Sequence, residues 1–171
     1  MKKIILTMFA ATSLLIYSTP SFALLSVSVG VPLSLECETK CELDSLSGYF
    51  LGVQLPFALG LGMDSIKSKG KGSTLTYVTN IYNIFYQLPI PVINLIFGLG
   101  VGSGSVEGDG SEDFEDSTKN QWYTSIGIPL IPLFDIHLSY RSITSKDGKY
   151  KGKKTDSSTS TVMGAGIAFN F

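Results

Sequence analysis

"VINLIFGLGVGSG", Val92 to Gly104, governs the reading of the whole chain. Ile93, Leu95, Phe97, Leu99 and Val101 alternate with Asn94, Ile96, Gly98, Gly100 and Gly102, a period of two that marks a β-strand rather than a helix. What matters is which face meets water. If the bulky row filled a soluble core, Gly98, Gly100 and Gly102 would form an exposed strand face, where glycine weakens the strand and packs nothing. If the bulky row points outward, the glycines line a narrow interior and leave room for larger side chains opposite them.

The same alternation recurs along the chain. Leu25, Val27, Val29, Val31, Leu33 and Leu35 stand against Ser26, Ser28, Gly30, Pro32 and Ser34. Tyr49, Leu51, Val53 and Leu55 stand against Phe50, Gly52 and Gln54, and Phe57, Leu59, Leu61 and Met63 against Ala58, Gly60, Gly62 and Asp64. Trp122, Ile126 and Ile128 oppose Gln121, Tyr123, Ser125 and Gly127. Phe134, Ile136, Leu138 and Tyr140 oppose Asp135, His137, Ser139 and Arg141. The last strand sets Met163, Ala165, Ile167, Phe169 and Phe171 against Gly164, Gly166, Ala168 and Asn170. Ser73 to Gln87 is aromatic and β-branched with two similar faces, and predicts a strand whose faces stay unassigned. The total is eight strands.

The connections alternate as strictly as the side chains. Three are short and contain proline, near Pro56, around Pro89 and Pro91, and around Pro129 and Pro132. Four are long and polar, over residues 36–47, 64–72, 104–119 and 144–157. A bulky, nearly unbroken apolar face, a polar and glycine-rich opposite face, and alternating turn lengths together predict a transmembrane barrel with short periplasmic turns and four longer external loops.

Residues 1–23 fit this placement. Lys2 and Lys3 precede an apolar run from Ile4 to about Ile16 and a small-residue stretch ending at Ala23, which reads as a secretory signal peptide. The barrel domain is then 24–171. The run is shorter than the ~20 residues of a membrane helix, and glycine, proline, serine or asparagine interrupts every later apolar stretch. Removing the two leader lysines from the 13 basic residues, against 14 acidic ones, leaves a net charge of about −3. That balance gives no reason to expect nucleic acid. Cys37 and Cys41, the two cysteines of an exported chain, predict a disulfide closing a small loop, with metal ligation as the rival.

The signal peptide, the eight strands and the terminal "GAGIAFNF" resemble the small eight-stranded outer-membrane β-barrel proteins of Gram-negative bacteria. The resemblance implies a bacterial outer-membrane location, a monomer, and contact with outer-membrane lipid and lipopolysaccharide. In that family a terminal Phe after alternating apolar residues is read by the barrel-assembly machinery, and Met163, Ile167, Phe169 and Phe171 match that pattern. The resemblance specifies fold and place, not activity.

One strand raises the possibility of chemistry. Asp135, His137 and Ser139 are two residues apart in the order acid, base, nucleophile, and the barrel-type lipid A deacylases are similar in placing His-x-Ser on a late strand. That family follows its Ser with Asn and takes an acid from the next strand. Here Tyr140 follows Ser139, and residues 157–171 contain no acid. The alternation sends His137 and Ser139 inward, where a lipid substrate is not. Turning the strand over would put Arg141 and Asp135 into lipid, at a cost of ~2–4 kcal/mol for a basic residue at midplane. The preferred reading is a lumenal polar network of Asp64, Gln121, Asp135, His137, Ser139 and Arg141, in which Asp64 is one candidate partner for Arg141.

The loops alternate in charge. The first and third are acidic, the second and fourth basic, so they either pair around the mouth or offer lysines to lipopolysaccharide phosphates. The acidic run "EGDGSEDFED" fits no calcium-loop spacing, and no zinc or phosphate-cradling motif occurs, so neither metal nor cofactor is expected. The functional expectation is a non-enzymatic outer-membrane barrel with a structural or surface-interaction role. The alternatives are a lipid A-modifying hydrolase using His137 and Ser139, and a secreted soluble barrel that binds a small apolar ligand.

Overall fold

The computed structural model describes residues 25–38, 41–88, 90, 93–131 and 133–171. The expected signal peptide over residues 1–23, and Pro89, Pro91 and Pro132 of the proline turns, lie outside these residues. Eight strands form one closed barrel: β1 (Ser26–Cys37), β2 (Leu43–Gln54), β3 (Leu59–Gly70), β4 (Thr76–Leu88), β5 (Asn94–Glu107), β6 (Ser117–Ile131), β7 (Phe134–Lys146) and β8 (Ser158–Asn170). Each pairs antiparallel with its neighbours in sequence, and β8 pairs with β1 to close the ring. Closure leaves no strand edge open, and backbone bonds between Leu25 and Phe171 extend the seam to the C-terminus.

The side chains follow the sequence alternation. Leu61, Leu99 and Leu138 stand outside at 58, 64 and 57 % exposure, while Gly60, Gly98 and Gly100 face in. The glycines make room, as expected: a Cβ on Gly98 would lie 2.1 Å from the Tyr123 ring, and one on Gly60 would lie 2.1 Å from Phe85. In β4, Tyr82, Ile84 and Tyr86 point out and Ile81, Asn83 and Phe85 point in. Aromatic residues ring the outside near both ends, with Trp122 and Tyr140 (centroids 5.5 Å apart) toward the loops and Phe134 and Phe169 (5.4 Å) toward the turns. A soluble barrel would need these apolar rows inside; they are outside.

Three details differ from the sequence reading. Leu35 was expected on the outer face with Leu33, but a bulge shifts the β1–β8 register between Pro32 and Ser34. The extra residue, Leu33, reverses the parity beyond it, and Leu35 turns in to pack against the core. Phe57 and Ala58 were expected to open the third strand. They form instead the tight turn after Pro56, both with positive φ, and Phe57 is 88 % exposed at its tip. The long loops are also shorter than expected. Segments 64–70 and 104–107, read as loop from their Ser, Lys and Gly content, continue β3 and β5. Strands of 12 to 15 residues exceed the ~9–11 that cross hydrocarbon, so their outer ends bear polar side chains as a loop would.

The third and fourth loops fold together. Phe114–Glu115, Lys149–Tyr150 and Lys153–Lys154 make a small three-stranded sheet over one side of the mouth. Inside the barrel, Phe50, Ile66, Ile81, Ile143 and Val162 form an apolar layer, with Leu35 and Leu46 against it. Polar side chains lie on both sides of this layer, with Asp135 and His137 toward the turns and Lys119 toward the loops.

Candidate functional site

The inward faces of β3, β4, β6 and β7 converge on Arg141. Its Nε donates to Asp64 Oδ2 at 3.0 Å, and its Nη1 donates to Ser139 Oγ. The guanidinium stacks over the Phe50 ring at 3.6 Å from the centroid and lies 4.9 Å from that of Tyr123. Asp64 Oδ2 also accepts from Gln121 Nε2 at 2.6 Å, and the same nitrogen donates to Asn83 Oδ1 at 2.9 Å. Asp64 and Arg141 are 2 and 6 % exposed. A buried ion pair persists only where further hydrogen bonds and packing offset its lost hydration, and Gln121, Ser139 and the two rings supply these. Asp64 sits halfway along β3 opposite Phe50 and Ile81.

A second cluster lies nearer the turns. Asp135 Oδ2 accepts from Asn94 Nδ2 at 2.5 Å and from Asn170 Nδ2 at 3.0 Å, while Gln87 Nε2 donates to Asn94 Oδ1 at 2.7 Å. His137 Nε2 is 3.8 Å from Asp135 Oδ2, close enough for charge attraction in the imidazolium form but too far for a hydrogen bond. Its Nδ1 is 3.5 Å from Ser125 Oγ. Both clusters border a lumenal cavity of 60 Å³, polar and roomy enough for ordered water.

All six residues assigned to the lumenal network from sequence therefore face the lumen, in two groups. Asp64, Gln121, Ser139 and Arg141 meet in one; Asp135 and His137 meet in the other. His137 and Ser139 do not bond each other: Ser139 is engaged by Arg141 and donates to Gly164 O at 3.4 Å. The partners missed from sequence are Asn83, Gln87, Asn94, Ser125 and Asn170. Asn94, Ser125 and Asn170 already stood on polar alternating faces, whereas Asn83 and Gln87 belong to the strand whose faces were unassigned.

At the mouth, Cys37 and Cys41 form a disulfide. The alternating loop charges resolve into pairs between neighbouring loops: Lys71 with Glu42 (3.0 Å), Lys67 with Glu107 (3.5 Å), Lys149 with Glu115 (2.6 Å) and Lys151 with Asp113 (3.5 Å). Three acids of the run 107–116 thus have lysine partners. Asp113 beside it holds the Lys151 ammonium above its ordinary range. Of the terminal pattern, Met163, Phe169 and Phe171 are exposed on the outside, and Ile167 is half-buried.

The fold is a closed, eight-stranded, antiparallel up-and-down barrel of the kind found in small outer-membrane proteins. Among solved structures it is similar to Neisserial surface protein A, with a TM-score of 0.57 and 14 % identity over 86 % of this chain and 96 % of that one. It is also similar to the N-terminal β-barrel domain of Pseudomonas aeruginosa OprF, with a TM-score of 0.55 and 13 % identity over 85 % of this chain and 97 % of that one. No protein-family model and no curated protein sequence matches the chain. At such identities the likeness is one of fold.

Proposed function

We propose that this chain is a non-enzymatic protein of the bacterial outer membrane, monomeric, exported by its signal peptide and inserted with the short turns in the periplasm. Its role is structural, or one of surface interaction through the charged loops. The observation that carries the reading is the division of its surface. The outside of the barrel is a continuous apolar belt with aromatic residues near both ends, and charged side chains are confined to the loop end or turned into the lumen. Such a belt has no partner in water, whereas lipid covers it.

The lumen supports a structural role. Eight strands enclose a space just wide enough for side chains to fill, and here aromatic rings, the Arg141 pair and an apolar layer fill it. His137 and Ser139 face away from the lipid side, which speaks against chemistry on a lipid acyl chain. At the mouth, Lys69, Lys146 and Lys153 form no ion pair among the described residues and are available to lipopolysaccharide phosphates. Phe171 and the alternating residues before it would present the chain to the barrel-assembly machinery.

Heat-modifiable migration tests the core of this reading. Detergent-folded protein should run differently before and after boiling, and should require detergent or lipid to stay in solution. Purification as a soluble monomer without either would overturn it.

A further inference from the structure

Above the apolar layer the barrel opens into a vestibule of 510 Å³, within the ~300–1,000 Å³ range of small-molecule sites. Ile66 and Ile143 contribute to its floor, and serine and threonine hydroxyls on the inward faces of several strands form much of its wall. The three-stranded sheet of the third and fourth loops closes one side, with Phe114 lining the space and packed 4.8 Å from Tyr150. On this side the wall of the vestibule is therefore ordered β-structure.

Among the described residues four charged ones line it, and they are not equivalent. Glu38 is exposed at the rim, and Glu115 and Lys149 neutralise each other at 2.6 Å. Lys119 is partly buried on the inner face of β6, where its Nζ donates to Ser145 Oγ at 2.8 Å. It forms no ion pair among the described residues. Its stem lies over Gly104, where a Cβ would come within 2.1 Å of Lys119 Cε. The backbone thus makes space for this side chain to enter the vestibule. An ammonium partly withdrawn from water and met only by a hydroxyl has unused donors and an unbalanced charge.

We propose that the vestibule binds a small amphipathic anion, its apolar body against Ile66 and Ile143 and its anionic head on Lys119 Nζ. The hydroxyl wall supplies further donors to the head without adding charge. The ammonium sets the sign of the ligand, and the isoleucine floor beneath it sets the requirement for an apolar body. The inference goes beyond the structural role proposed above, and depends on that reading only for which compartment the mouth faces.

Saturation-transfer NMR on the full barrel in nanodiscs tests it, with three probes that share one body: phenylbutanoate, phenylbutanol and phenylbutylamine, each against empty nanodiscs. Phenylbutanoate should bind saturably and at least tenfold tighter than phenylbutylamine. Lys119→Gln should weaken phenylbutanoate at least tenfold and leave phenylbutanol unchanged, while Lys119→Arg should retain the anion within about threefold. Heat-modifiable migration of each sample reports barrel formation separately, so a folding defect is distinguished from a lost site. Absence of saturable phenylbutanoate binding by folded protein, equal binding of the amine, or unchanged affinity in folded Lys119→Gln would each overturn the proposal.

Discussion

Arg141 Nε and Asp64 Oδ2 lie 3.0 Å apart across the barrel interior, although 77 residues separate them in sequence. The pair ties β7 to β3, two strands that share no backbone ladder, and both side chains are buried. Removing one partner strands a charge in the lumen, which costs about 3–5 kcal/mol, whereas replacing both with apolar groups of similar volume is often close to neutral. Asp64→Ala should therefore lower the unfolding free energy by about 3–5 kcal/mol. The double variant Asp64→Leu/Arg141→Met should lose clearly less than either charge deletion alone. Urea unfolding in lipid vesicles, followed through the single tryptophan, Trp122, measures both. Additive losses in the double variant would mean that the two charges are not coupled.

Gly98 and Tyr123 test the use of glycine on the inner face. A methyl group on Gly98 would meet the Tyr123 ring at 2.1 Å, so Gly98→Ala should destabilise the barrel by about 1–3 kcal/mol through overpacking. Trimming the ring in Gly98→Ala/Tyr123→Leu should recover part of that loss. Gly102→Ala should be worse than Gly98→Ala, because its Cβ would lie 1.9 Å from the backbone oxygen of Asn80, which cannot rotate aside as a side chain can. Thermal unfolding of the three variants in one detergent ranks them, and a harmless Gly102→Ala would contradict the steric argument.

The lumen and the loops differ in how far they could be read from sequence. Period two is a local property, so the inward positions of Asp64, His137 and Arg141 were visible in their own strands. Which inward residues meet is a matter of register between strands, set by turns and bulges along the intervening chain, and only the structure brings Asp64 to Arg141. Leu35 was misplaced for a related reason: one bulged residue, Leu33, inverts everything beyond it, and nothing in the apolar pattern marks the shift. Residues 67–70 looked like loop because the outer end of a strand, beyond the lipid, is free to carry lysine and serine. The opposite signs of neighbouring loops were legible, but their pairing through a shared sheet depends on backbone hydrogen bonds that have no side-chain signature.

His137 bears on the catalytic alternative directly. Its ring faces the lumen, 3.5 Å from Ser125 and 3.8 Å from Asp135, and Ser139 is held by Arg141. His137→Ala should therefore leave lipid A acylation the same as wild type when each is expressed in a Gram-negative host, and both should match cells without the protein. Mass spectrometry of extracted lipid A reads the outcome. Loss of an acyl chain with wild type that is restored with His137→Ala would establish a hydrolase despite the lumenal orientation.

Phe171 separates assembly from stability. Its backbone joins Leu25 across the seam, with N to Leu25 O at 2.8 Å and its own O to Leu25 N at 3.3 Å, while its ring stands outside at 68 % exposure. Phe171→Ala keeps the seam bonds and removes only the ring. Stability of the refolded barrel in vesicles should change by no more than about 1 kcal/mol, since an exposed side chain carries little of the packing. If the terminal pattern is read during biogenesis, the amount reaching the outer membrane of expressing cells should nonetheless fall several-fold. Quantifying folded barrel in membrane fractions beside refolding in vitro distinguishes the two effects. A parallel fall in both would make the ring a packing element, and no fall in either would remove Phe171 from the assembly signal.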